Sequence, residues 1–167
     1  MSHHDHPPIA HEIASLPFSK EEFDEVIVAS GAVLELHGLR VADDIDLIIP
    51  MWLQNALQNR EPGRWERARR TVQRVTDGTN FDLRWLRDIP EHPDAPSRYD
   101  IWTHWFDPAG EVGNRILSHD EVKQHTIRHE LGFRAMELDY LRYLKARFGR
   151  AKDLDDVVLI DEYFSGT

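Results

Sequence analysis

Residues 41–50 read VADDIDLIIP, a short apolar run that opens on three acids, Asp43, Asp44 and Asp46, and stops at Pro50. In an extended strand alternate side chains share a face, so Asp44 and Asp46 project together while Ile45 turns to the interior. Two like charges this close raise each other's affinity for protons unless a cation neutralises them. Magnesium suits the task, because it takes carboxylate oxygens and leaves its other positions to water or phosphate oxygens. Two acids on a rigid strand, joined by a third from a neighbouring strand, can hold one or two such ions for an in-line phosphoryl displacement. The plainer reading makes Asp44 a strand-entry acid and Asp46 a solvated edge residue.

The chain just upstream supplies the other half of such a site. VIVAS, residues 26–30, is short, apolar and β-branched, as a buried strand is. Gly31 follows, and AVLELHGL holds apolar residues at helical spacing over 32–38, with Gly38 placed to end the helix. Ser30 and Gly31 then fall at a strand-to-helix turn, where free amides and an open glycine backbone can meet a phosphate. The acid-bearing strand, 44–49, comes next, and MWLQNALQNR after Pro50 reads as a helix.

Other elements must hold these two pieces together. Ser19 can cap a short turn with Glu22 three positions on. RARRTVQRV alternates weakly as a third strand, Asp77-Gly78 offers a turn, and NFDLRWL follows. DIPEHPDAPSR, with three prolines, is a loop; YDIWTHWF, 99–106, is a strand; DPAGEVGN is a second loop. Ser118 caps a helix, TIRHELGFRAM is extended, and ELDYLRYLKARF is amphipathic up to Gly149. KDLDDVVLIDEYF makes the last helix. Strands mixed with helices predict an α/β or α+β fold, a mixed sheet flanked by helices with a helical C-terminus. The His- and Pro-rich opening marks residues 1–17 as a flexible tail, leaving 18–167 as one domain.

Composition narrows the function classes. The chain has 167 residues, a formal net charge of −10, a 41% hydrophobic content and no cysteine. That is enough apolar matter for a core, while disulfides and Cys-ligated zinc are excluded. The acidic balance disfavours nonspecific binding to DNA or anionic membranes, although it leaves room for a local basic groove. No run is long and apolar enough to span a membrane and no signal pattern opens the chain, so a cytoplasmic location is expected.

VIVASGAVLELHGLRVADDIDLIIP resembles the signature of the nucleotidyltransferase superfamily that includes DNA polymerase beta. LRYLKARFGRAKDLDDVVLID is similar to the segment that closes many small bacterial members, so the two stretches bracket residues 26–161. The resemblance implies two magnesium ions and transfer of a nucleoside monophosphate from a nucleoside triphosphate to a hydroxyl acceptor on a protein, an RNA end or a small molecule. It puts Ser30 and Gly31 on the phosphate-contacting pair, here in the order Ser-Gly where the family has Gly-Ser or Gly-Gly. Asp44 and Asp46 fall on the two metal ligands, and Asp100 matches the third acid, with Asp82 as its rival. A second implied class is non-catalytic: a nucleotidyltransferase-fold partner protein, such as one half of a toxin–antitoxin pair.

Several residues carry two readings each. Lys145, Arg150 and Lys152 form a basic cluster that can aid triphosphate binding or solubilise a helix end. Asp153 reads as the cap of the last helix and Asp156 as an acid of its first turn. His37 reads as a packed or surface histidine rather than a ligand. Trp102 and Trp105, three apart on one strand, should point to opposite faces, into the core or onto a base. His104 shares the face of Trp102 and Asp100.

Overall fold

The computed structural model describes residues 6–73, 78–110 and 113–166; residues 1–5 of the His-rich opening and Asp77 of the expected turn lie outside them. Local signals set the first elements. Pro8 starts α1 (Pro8–Ala14), and Ser19 closes a capping box with Glu22 over α2 (Lys20–Phe23). Three buried apolar residues make β1 (Ile27–Ala29), and Ser30 leads into α3 (Gly31–Leu36). Gly38 ends α3 with φ +70°, its amide donating to the Glu35 carbonyl and that of Leu39 to the Leu34 carbonyl. The acids then lead into β2 (Ile45–Ile48), and Pro50 into α4 (Met51–Arg60).

The second half alternates hairpins with helices. β3 (Trp65–Gln73) and β4 (Asn80–Asp88) form a long hairpin, followed by β5 (Tyr99–Trp102). A second hairpin, β6 (His104–Gly110) and β7 (Gly113–Ser118), leads to α5 (His119–Lys123), capped by Ser118 with Glu121. Then come β8 (Thr126–Arg128), β9 (Arg134–Met136), α6 (Leu138–Phe148) and α7 (Ala151–Ser165). The fold is mixed α+β: a seven-stranded sheet ordered β3-β4-β5-β2-β1-β9-β8 beside a two-stranded sheet β6-β7. β2 is central, antiparallel to β1 and parallel to β5. Among the described residues no helix is long and apolar enough to cross a membrane.

Three expectations are corrected. Residues 1–17 are not a tail throughout, because Ile9, Ile13 and Leu16 are buried in the same core cluster as β1 and β2. Glu12 fastens α1 to the sheet by accepting 3.0 Å bonds from Arg98 Nε and Nη2 and from the Tyr99 hydroxyl. The strand expected over 99–106 breaks at Thr103, where the chain leaves the large sheet for the small one. The segment expected as a second loop is largely strand, with Asp107 facing Arg115 across the β6-β7 hairpin.

Candidate active site

The turn after β1 is where the backbone is strained. Ser30 sits at φ 55°, ψ −139°, the one positive φ of a non-glycine residue among those described. A side chain there costs on the order of 1–3 kcal/mol, so the surroundings must hold it in place. Beside it, a Cβ on Gly31 would lie 3.0 Å from Arg40 Nη2, so glycine is what lets that guanidinium reach the turn. Arg40 is fixed in turn by Asp156, to which its Nε and Nη2 donate at 2.6 and 2.9 Å.

Ser30, Gly31, Arg40, Asp44 and Asp46 line one cavity of about 500 Å³ between the sheet and the C-terminal helices. Asp46 lies on β2 with Asp100 directly beside it on β5. Burial, then the neighbouring charge of Asp44, pushes the Asp46 carboxyl up to about 7, with Asp100 adding to the rise. Burial likewise raises Asp100, and Asp44 adds to it by its charge and by a hydrogen bond. Asp100 borders the cavity rather than lining it. Two indoles steady the pair: Trp102 Nε1 donates to Asp46 Oδ1 at 3.1 Å, and Trp85 Nε1 to Asp100 Oδ1 at 2.8 Å. Their rings stack at 4.7 Å, so each braces the other.

Helices α6 and α7 make the opposite wall. Lys145 is buried, its Nζ 2.7 Å from Asp156 Oδ2 and 3.5 Å from Asp153 Oδ1. Arg150 donates to both Asp153 oxygens, at 2.6 and 3.2 Å. Burial alone would raise the two carboxyls, but these cations, and Arg40 for Asp156, hold both below the usual range. Asp153 is thus a buried ion-pair acceptor and not the cap expected, since α7 has no side-chain cap. Lys145 is no solubilising residue either. Lys152 is exposed on the rim.

The remaining candidates scatter. Asp82 lies five residues from Arg87, the β4 partner of Asp100, and on the other face of its strand. There it accepts from Arg69 Nη2 at 2.6 Å and Thr71 Oγ1 at 3.0 Å, away from the other acids. His37 packs against Tyr163, its proton affinity lowered by burial. Trp102 and Trp105 do not part to opposite faces: the break at Thr103 resets the alternation, and both line the cavity with ring centres 6.1 Å apart. His104 is half-buried beside Trp102 and does not line the cavity. Arg40 and Trp85 were missed, since a single Arg between a cap and a strand forms no pattern. For Trp85, its alternation with Leu83 and Arg87 was the available signal.

Among the described residues no three His, Asp or Glu side chains form a ready metal cage. Magnesium does not require one, being held by one or two carboxylates together with water and substrate phosphates. The Asp44–Asp46 donor set fits that chemistry: all oxygen, and crowded with like charge that a divalent ion would relieve. The chain matches no protein-family model, no curated protein and no solved structure.

Proposed function

We propose that this chain is a magnesium-dependent nucleotidyltransferase acting on a nucleoside triphosphate and a hydroxyl acceptor. The observation that carries the reading is one cavity with Asp44 and Asp46 on its sheet wall, the strained Ser30–Gly31 turn at its floor and cations opposite. Asp44 and Asp46 would hold magnesium, which would supply charge neutralisation and orientation for phosphate oxygens. Arg40 presents its guanidinium at the turn, where a phosphate group would be met, and Lys152 adds a charge at the rim. In the transfer, the acceptor oxygen bonds to the α-phosphorus as the bond to the bridging β-oxygen breaks and pyrophosphate leaves. The acceptor's proton passes to a carboxylate, and Asp100, whose proton affinity burial raises, is suited to take it.

Calorimetry with four nucleoside triphosphates, with and without magnesium, tests this. The wild type should bind at least one triphosphate more tightly with the metal. Asp44→Asn and Asp46→Asn should each weaken that binding about tenfold or more, the order expected when one charged partner is lost. Asp100→Asn should lower turnover more than binding, and Asp82→Asn should change neither. A wild type that binds no triphosphate ends the catalytic reading and favours a partner-protein role.

A further inference from the structure

The helices that wall the acid cavity meet a second one at their other ends. α3 borders the first with Gly31 and the second with Leu36 and with His37, which follows its last turn. α6 borders them with Lys145 and Leu138, and α7 with Asp153 and Phe164. Strands β8 and β9, at the end of the large sheet, complete the second cavity, of about 360 Å³.

Apolar side chains make most of its wall. Met136 and Leu138 are buried at it, whereas Ile127, Tyr163 and Phe164 stay open to water, 63, 47 and 53% exposed. Large apolar groups left in solvent around one concavity mark a place for a ligand rather than a finished core. The unpaired charges there are of one sign. Glu137 and Asp139 both line the cavity, and neither carboxylate has an ion-pair or hydrogen-bond partner among the described residues. An acid in the first turn suits a helix, which accounts for Asp139. Glu137 stands at the cap position of α6, yet its side chain caps no amide, so that half-buried carboxylate is left for another partner. Arg128 is the one Arg or Lys of the lining, and its Nε lies 3.6 Å from Asp24 Oδ1. Burial disfavours the charged forms of His37 and His129, so neither supplies a cation at neutral pH.

We infer that this cavity binds a small apolar organic cation, its hydrocarbon body on Met136 and Leu138 and its charge between Glu137 and the rings of Tyr163 and Phe164. Aromatic faces and carboxylates both attract such a charge, and an apolar body gains by leaving water. An anion would meet two carboxylates there, and a hydrated metal ion gains nothing from the apolar wall. The site is separate from Asp44 and Asp46, and the inference does not rest on the transferase reading.

Proton–nitrogen correlation NMR of the full chain, titrated with benzyltrimethylammonium, benzyl alcohol and benzoate, decides it. The cation should saturate the wild type with a Kd of about 1 mM or tighter, moving the amides of Leu36, Ile127, Met136 and Phe164. It should bind about fivefold tighter than benzyl alcohol, and benzoate should not saturate. Glu137→Gln and, as a second variant, Phe164→Ala should each weaken the cation about threefold to fivefold. Asp44→Asn, remote from the site, should leave its affinity within about twofold. Saturating shifts centred on Ser30, Asp44 and Asp46, lost in Asp44→Asn, overturn the inference, because the acid cavity then takes the cation. Equal affinity for benzyl alcohol, or a Glu137→Gln variant that binds as well as the wild type, overturns it too. Sedimentation at the same concentration covers a second copy as the occupant: a wild-type dimer that Phe164→Ala splits, with no cation bound, also overturns it.

Discussion

On the sheet side of the cavity, Asp46 and Asp100 sit side by side with Asp44 near both, and the donors that reach Asp46 and Asp100 are neutral indoles. On the helix side, Asp153 and Asp156 are more fully shielded from solvent than the sheet acids, yet each is held by two cations drawn from Lys145, Arg40 and Arg150. Desolvation alone would raise all four carboxyls, and their bonded partners decide the outcome. The sheet acids are pushed toward protonation and the helix acids toward ionisation. One wall keeps carboxyls without a cationic partner, and the other commits its charges to holding α6 and α7 against the Arg40 segment and the turn. A cavity of this kind needs both, because the first wall destabilises the fold that the second must keep.

The largest expected effect lies on the helix wall. Asp156→Asn removes one charge from between Lys145 and Arg40 and leaves a buried ammonium with only Asp153 at 3.5 Å. Breaking a buried pair in this way should cost about 3 kcal/mol, seen as a fall in Tm of roughly 6–12 °C. Its carboxyl is depressed in the fold, so its contribution is full above about pH 4 and is lost as pH falls through the lowered value. The sheet wall should respond with the opposite sign. With Asp46 raised to about 7, the fold binds a proton that the unfolded chain releases, so the contribution of Asp46 is full below about pH 4 and is lost as pH rises through 7. In metal-free buffer, Asp46→Asn should therefore be more stable than the wild type at pH 8 by roughly 2 kcal/mol and equal to it near pH 4. Denaturant unfolding at both pH values measures this. If Asp46→Asn is instead destabilised at pH 8, the two walls are alike and the contrast is gone.

The two walls also differ in how far they can be read from sequence. Alternation placed Asp44 and Asp46 on one side of a strand, and Ser30-Gly31 fell where a buried strand gives way to a helix; all four line the cavity. These are relations between near neighbours. The helix wall depends on partners far apart in the chain, as in Arg40 with Asp156, so Asp153 and Asp156 looked like ordinary acids at a helix start. The break at Thr103 was hidden because no Gly or Pro interrupts YDIWTHWF, and pairing with β7 is what turns the chain. By contrast, α1 was legible: Ile9, Ile13 and Leu16 keep helical spacing, although histidines and prolines in front of them mask it.

The smallest expected effect lies at the floor between the walls. Ser30 holds a conformation that glycine adopts freely. Ser30→Gly should relieve the strain and stabilise the fold by about 1 kcal/mol, less than the full strain because glycine also frees the unfolded chain. Ser30→Ala keeps a Cβ at the same φ and should give no such gain, which separates backbone relief from loss of the hydroxyl. Neither change alters a charge, so the pH dependence set by Asp46 and by Asp153 with Asp156 should survive in both variants. Thermal unfolding across pH 4–8 reads all of this in one series. A Ser30→Gly variant no more stable than Ser30→Ala would mean that the turn carries no strain, and that Arg40 and the acids alone shape the cavity floor.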